Sequence, residues 1–500
     1  MILADILRGA ETVPCHPWTR HILASENWDA LARSLPASQL NLLALWADTQ
    51  QVHALFLDAS ALQILPVSTT VVDGLYPALS PTCLGAGAYE RMVADLWGHI
   101  ATDSMESGPW LDHGHWPQAR PMAARHDAPR TLDPAAGDLL EPEDPLMQLS
   151  QGPIHGPVGA ASRLRLLVRD GVITAATGQF GFTHKGTLVL MRAKSPRTAA
   201  RFAARLAADA TVAHAVAFSA AAENAVGAVA PPRAVTLRSL MLEIERIGVH
   251  LDTLAEVARL ADAALAAAQC RALRERLLRA TEAAFGHRMM MDCVVPGGVA
   301  LDLDERGEGM LLRALDEVDA ALATIRRHHD GRLLAGRLRG RGPVDLALVS
   351  RYGAGGPAGR AAGRGFDARM LGSLPPSNAF PAFAPALSGH GDALGRQHRR
   401  IEEIATSLTL IRSALRTLPI GALTVALPSE SGEGVGCAES ARGDIWHWLR
   451  LDHGQIAACF PRDPAWALWP VVAAALTNAD VEDADLIRAS FALTVSGMDL

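Results

Sequence analysis

The chain has 500 residues, with 46 basic and 53 acidic side chains and a formal net charge of -7. Such a length accommodates two or three domains with sizeable cores, and 49% hydrophobic against 20% charged residues excludes a disordered chain. The mildly acidic balance excludes a general attraction to nucleic acid or to an anionic membrane surface, so no nucleic-acid partner is expected.

The opening MILADILRGAETVPC has no basic segment followed by an apolar core, so no signal peptide is expected. The longest apolar stretches, such as Ala465 to Leu476, fall short of the roughly 20 residues that span a bilayer. Six cysteines (Cys15, Cys83, Cys270, Cys293, Cys437, Cys459) are scattered without C-x-x-C spacing, which excludes a disulfide scaffold.

Residues 1–126 read as a small α/β domain. The runs VHALFL (Val52 to Leu57) and LPVSTTVV (Leu65 to Val72) suit strands, and ERMVADLWGHI (Glu90 to Ile100) has helical spacing. Residues 127–150, rich in proline and acidic side chains, read as a linker. RLRLLVRDGVITAATG then predicts a β-hairpin turning at Asp170-Gly171. Long amphipathic helices are predicted between Ser195 and Asp330, broken at Pro231-Pro232 and at Pro296 to Gly298. Residues 331–390 are rich in Gly, Arg and Pro. Helical patterning resumes over Asp392 to Leu418, and the last stretch mixes strand-like WHWLRLDHGQIAACF with helical WALWPVVAAAL. The expected fold class is α+β: a small N-terminal α/β domain, then a mainly helical domain (151–500) with a flanking β-hairpin and a C-terminal β/α segment.

Few residues suggest chemistry unaided. Arg233, Arg238, Glu243, Glu245, Arg246 and His250 put charges at short intervals within one apolar helical stretch, which suits a solvated face, buried ion pairs or the lining of a site. His155, His184 and His214 form no i, i+4 pair and no H-E-x-x-H, so metal ligation is not expected of them. The glycines of GAGGPAGRAAGRG (Gly353 to Gly365) lack the G-x-x-x-x-G-K-[ST] phosphate-loop pattern.

Several short motifs, in order, resemble one superfamily: the large subunits that unite nickel–iron hydrogenases with complex I. GPIH (Gly152 to His155) resembles the start of that family's first hairpin, and GFTHKG (Gly181 to Gly186) its G-[FY]-x-H-[RT]-G segment. His214 to Phe218 with Glu223 resembles the helix after its first metal loop. VAPPRA (Val229 to Ala234), then Arg238, Glu243, Arg246 and His250-Leu251, resembles its P-P-R-A…R…E-x-x-R-x-x-x-H-L helix. Asp367 to Arg369 resembles its D-x-R, and ESARGD (Glu439 to Asp444) the complex I form E-S-A-R-G-E. Near the start, Glu90 to Met92 with Asp95 to Gly98 is similar to the E-R-[ME]-x-x-D-[LM]-[FY]-G helix of the complex I 30-kilodalton subunit. A fusion of these two parts is the layout of formate-hydrogenlyase-type, group 4 enzymes.

The resemblance implies a peripheral core subunit of a membrane-bound, energy-converting complex, coupled to ion translocation. It implies an iron–sulfur small subunit and antiporter-like membrane subunits as partners, with the chain on the cytoplasmic face of the bacterial inner membrane. Hydrogenases of the family hold nickel and iron with four thiolates, soft ligands suited to those metals. The first pair falls here at Ala207 and Ala210, counting back from His214, and the second would follow Asp499, where the sequence has only Leu500. No nickel–iron centre and no hydrogenase activity by itself are therefore expected; the iron–sulfur cluster is expected in a partner. The implied cavity candidates are His155, Phe182, Thr183, His184, Asp209, Thr211, His214, Arg233 and Asp499. They either fill an obsolete cavity or form a proton-relay or small-ligand site, with Asp209 and His214 close enough in sequence to lie together. An alternative implied by complex I is an oxidoreductase subunit whose vacated cavity binds a quinone-like acceptor.

Overall fold

The computed structural model describes residues 3–106, 108–124, 128–129, 147–155, 160–371 and 384–500. Most of the expected linker, 127–150, lies outside them.

An N-terminal sheet holds five strands in the spatial order Glu11–Cys15, Trp18–Leu23, Gln63–Thr70, Gln51–Asp58, Leu40–Ala47. Trp18–Leu23 runs parallel to Gln63–Thr70 and the other pairs are antiparallel. The helices Ser25–Ser34 and Gly87–Trp97 accompany it. The charged residues of the second helix are buried because they tie loops down. Glu90 accepts from the backbone N–H groups of Leu79 (2.7 Å) and Ser80 (3.0 Å). Asp95 accepts from those of Trp110 (2.7 Å) and Leu111 (2.8 Å), and Arg91 donates to the carbonyls of Gly108 and Pro109. Buried carboxylates satisfied in this way hold irregular chain without a ladder.

The predicted hairpin forms as Arg163–Arg169 and Val172–Gln179, with positive φ at Asp170 (51°) and Gly171 (81°). The helical body follows: Thr211–Ala225, Pro232–Leu260, Ala264–Phe285, Glu305–Asp330 and Ala393–Arg416. Pro232 opens its helix where a missing N–H costs nothing. From Leu237 to Gly248 that helix is buried without interruption, so its charges are interior ones.

A C-terminal meander of Gly432–Ser440, Gly443–Asp452 and Gln455–Arg462 sits between the two parts. One face receives the helix Thr211–Ala225. Gly432, Gly434 and Gly436 lie so close to the backbone of Ala225, Ala221 and Ala217 that a Cβ on any of them would fall 2.0–2.2 Å from a helix carbonyl oxygen. The other face presents Trp446, Trp448 and Phe460 to the N-terminal sheet: Trp46 stacks on Phe460 with ring centroids 5.5 Å apart, and Trp448 packs on His53 at 5.1 Å. The N-terminal and C-terminal sheets also share main-chain hydrogen bonds, His16 N–H to Glu433 O (2.9 Å) and Val435 N–H to His16 O (2.8 Å). Beside them Arg20 grips the Glu433 carboxylate with two bonds of 2.7 and 2.9 Å.

Candidate functional site

The loop that precedes the Thr211–Ala225 helix carries Ala207, Asp209 and Ala210. Both alanines are fully buried. Glu245, reaching from the Pro232–Leu260 helix, caps this end by accepting from the backbone N–H groups of Val212 (2.7 Å) and Ala213 (3.1 Å). Burial pushes the Glu245 carboxyl up to about 8 despite these bonds, and the nearby Asp209 adds to the rise.

Facing the loop is Arg442, in the tight turn between the first two strands of the C-terminal meander. Ser440 Oγ accepts from Arg442 N–H and donates to the Gly443 carbonyl, which shapes that turn. The Arg442 guanidinium donates to both oxygens of Asp463, at 2.8 and 3.0 Å, and through Nη2 to Asp209 Oδ1 at 3.1 Å. Its Nε lies 2.7 Å from Asp209 Oδ2, off line for a hydrogen bond. Asp463 Oδ2 meets His214 Nε2 at 3.1 Å, and His214 Nδ1 meets His447 Nε2 at 3.0 Å. Five side chains thus form one line, Asp209–Arg442–Asp463–His214–His447. Burial works against the Asp463 charge, yet Arg442 and the bond from His214 hold its carboxyl well below the usual range. Burial and the His214 ring push His447 far down, so His447 is neutral at pH 7. The Asp209 end borders a cavity of about 340 Å³ also lined by Asp252, Glu256, Arg274, Thr494 and Ser496.

A second group is organised by residues 496–500. The Asp499 carboxylate, fully buried, accepts from Gly181 N–H (2.9 Å), Thr183 N–H (2.9 Å) and Thr183 Oγ1 (2.7 Å). His184 Nδ1 donates to the Asp499 carbonyl at 2.6 Å, and its ring stacks on Trp116 at 4.4 Å; burial lowers its pKa. Phe182 is 39% exposed beneath the Arg163 guanidinium. Gly497 lies flat on Asp463, where a Cβ would come within 2.4 Å of Oδ2. This segment therefore separates the two groups while touching both.

Of the sequence-derived candidates, Asp209 and His214 fall in the first group, joined through Arg442 and Asp463 instead of by a direct bond. Phe182, Thr183, His184 and Asp499 form the second. Thr211 starts the 211–225 helix, its hydroxyl 3.4 Å from the Ala208 carbonyl. Two candidates stand apart. His155 pairs with Asp485 at 3.2 Å, and Arg233 binds Asp302 and the Pro419 carbonyl at the far end of its helix. Arg442, Asp463 and His447 are not among the residues that sequence reasoning singles out. Arg442 is legible as the arginine of ESARGD, and Asp463 as the Asp-Pro that opens the Ala465–Leu476 helix.

These side chains do not fit a nickel–iron centre. Ala207 and Ala210 offer methyl groups, and the Asp209 carboxylate between them is already paired with the Arg442 guanidinium, which Asp463 also holds. The six cysteines are unpaired, and burial raises their thiols, Cys270 to about 12 and Cys293 to about 11, away from the thiolate form that binds metal.

Residues 264–430 match the family of the respiratory-chain NADH dehydrogenase 49 Kd subunit. The carbon monoxide-induced hydrogenase of Rhodospirillum rubrum is 27% identical over 67% of this chain and 94% of its own length. Formate hydrogenlyase subunit 5 of Escherichia coli is 25% identical over 83% of this chain and 75% of its own length. The NADH-quinone oxidoreductase C/D subunit of Nitrosospira multiformis is 27% identical over 74% of this chain and 64% of its own length. The chain is thus related to the large subunits of the hydrogenase-4 and complex I type, and among its described residues no group of three or more His, Cys, Asp or Glu could hold a metal ion.

Proposed function

We propose that this chain is a peripheral core subunit of a membrane-bound, energy-converting complex of the complex I kind, with no nickel–iron centre and no hydrogenase activity by itself. Its partners are an iron–sulfur small subunit and antiporter-like membrane subunits, and its place is the cytoplasmic face of the bacterial inner membrane. The observation that carries this reading is the Asp209–Arg442–Asp463–His214–His447 line built where the first thiolate pair is replaced by Ala207 and Ala210. A disused cavity would be expected to close over apolar side chains, because replacing buried ion pairs by packed hydrophobic groups is often neutral or stabilising. This one instead keeps two carboxylates, a guanidinium and two imidazoles in hydrogen-bond contact, with Asp209 bordering a cavity. Such a line registers a change of charge at the cavity and passes it to the Thr211–Ala225 helix, which is what coupling to ion movement requires of a subunit without a redox metal. Among the described residues no helix is long and apolar enough to cross a membrane; the membrane contact in this reading falls to partner subunits.

The test is gentle solubilisation of membranes carrying a tagged chain, identification of the co-purifying subunits, and metal analysis of the product. Recovery with an iron–sulfur subunit and antiporter-like subunits, and without stoichiometric nickel, is the expected outcome. Nickel at about one atom per chain, or recovery of the chain alone, overturns the reading. Within the recovered complex, Arg442→Met is expected to abolish ion movement in vesicles while leaving the subunits assembled.

A further inference from the structure

The Pro296-Gly297-Gly298 break takes no part in the Arg442 line, yet it builds a surface of its own. Gly298–Val299 pairs antiparallel with Val294–Val295. Leu423 to Val425 then lies antiparallel along the other side of Gly297 to Val299. Val299 N–H donates to the Leu423 carbonyl at 3.0 Å, and Val425 N–H to the Gly297 carbonyl at 2.9 Å. The approach needs both glycines: a Cβ on Gly297 or Gly298 would fall 2.1 or 1.9 Å from the Val425 or Leu423 carbonyl oxygen.

With those groups bonded inward, the alternate ones along the chain point outward. The N–H and carbonyl of Thr424, and those of Ala426, have no partner among the described residues. Edge strands normally guard such groups with charge, proline or a bulge. This edge has no such guard, because Thr417 to Ser429 contains no charged residue and its two prolines, Pro419 and Pro428, stand outside 423–427. A groove of about 410 Å³ runs beside it, with Pro296, Val425, Leu427 and Leu451 in its walls. The exposed Arg197 also lines this groove, and among the described residues it has no carboxylate within ion-pair distance. Val425, Leu301 and Ile420 are 38%, 45% and 100% exposed. Arg233 draws the loops of the last two together, bonding the Asp302 carboxylate and the Pro419 carbonyl, each at 2.8 Å. An exposed apolar patch with charges at its margin marks a surface that is covered in an assembly.

We infer that 423–427 is a docking edge for an extended segment of a partner subunit. That segment adds to the edge as a strand, sets alternate apolar side chains into the groove and meets Arg197 with a carboxylate. A second copy of this strand is a poorer match, since it brings no carboxylate to Arg197. The inference rests on the reading of the chain as one subunit of a complex, and adds to it the surface by which a partner is held.

The test places the photo-crosslinking residue p-benzoylphenylalanine at Ala426 of the tagged full chain, irradiates the cells and identifies the adduct by mass spectrometry. One short segment of one co-purifying subunit is the expected adduct. Ala426→Pro removes an outward N–H and leaves both inward bonds in place. It is expected to lower recovery of that subunit about tenfold relative to the tagged chain, because a carbonyl of the incoming strand loses its donor. The far-ultraviolet circular dichroism of the chain is expected to stay unchanged. Arg197→Glu is expected to lower recovery as well, and Arg197→Lys to keep it. Recovery of the tagged chain alone overturns this inference together with the reading it rests on. An assembled complex that gives no adduct at 426, or an adduct only to lipid or to a second copy, overturns the inference alone. So does full recovery of every subunit with both Ala426→Pro and Arg197→Glu.

Discussion

The C-terminal meander has two faces, and they are held by different physics. On one, Trp448 and Phe460 meet Trp46 and His53 of the N-terminal sheet, large rings giving large buried area with tolerant geometry. On the other, Gly432, Gly434 and Gly436 let the Thr211–Ala225 helix approach to backbone contact, and His447 reaches through to His214. The aromatic face is adhesive and the glycine face is a positioning surface. A helix held at backbone distance cannot shift without disturbing the strand it rests on, so the polar line that crosses this face is kept in register by packing as well as by its own bonds.

That contrast can be broken most severely at Arg442. Arg442→Met removes a fully desolvated charge and leaves Asp463 buried, so unfolding by urea is expected to show a loss of about 3–5 kcal/mol. Adding Asp463→Asn is expected to recover part of it, because neither charge is then stranded. A milder break lies in the glycine stripe. Gly434→Ala puts a methyl 2.2 Å from the Ala221 carbonyl oxygen and is expected to cost about 1–3 kcal/mol. On the aromatic face Trp448→Phe, which keeps a ring there, is expected to cost less, about 1 kcal/mol. Equal losses on the two faces would remove the distinction drawn between them.

The smallest effect sharpens the comparison through pH. The Glu245 carboxyl is raised in the folded chain from its ordinary 4.5 to about 8, so across that window the folded state binds more proton than the unfolded one. Its contribution to stability is therefore fully present below about pH 4.5 and is lost as pH rises toward 8, with a slope below the roughly 1.4 kcal/mol per unit that one proton allows. Glu245→Gln preserves the shape of the protonated cap. It is expected to change stability little below about pH 4.5 and to flatten the decline above it, measured by thermal unfolding over a pH series. A wild-type decline that survives unchanged in this variant would assign it to another group.

Regular elements were legible where local signals agreed. The hairpin around Asp170-Gly171 and the helix opened by Pro232 follow from turn chemistry and periodicity alone. The three short helices between Arg332 and Ala361 were not, because six or seven residues carry too little periodicity. The site was legible only in part. Asp209 and His214 lie on one loop-helix junction, but the residues that join them, Arg442 and Asp463, are supplied by the meander: 233 positions separate Asp209 from Arg442. Period and spacing report neighbours along the chain and are silent on contacts made by folding. Likewise the interior charges of the Pro232–Leu260 helix could be seen in the sequence, yet only burial distinguishes a solvated stripe from the ion pairs they form with Glu223 and Arg369.

The seam between the N-terminal and C-terminal sheets has a consequence for how the chain tolerates being cut. The His16 main chain donates to Glu433 and accepts from Val435, Arg20 clasps the Glu433 carboxylate, and Asp48 meets Arg450 at 2.7 Å. Residues 1–124 and 147–500 produced as two separate chains are therefore expected to stay associated through size-exclusion chromatography. The covalent connection then acts as a device of effective concentration. It raises the speed and yield of pairing, whereas the pairing itself is written into two sheets that recognise each other as separate molecules would.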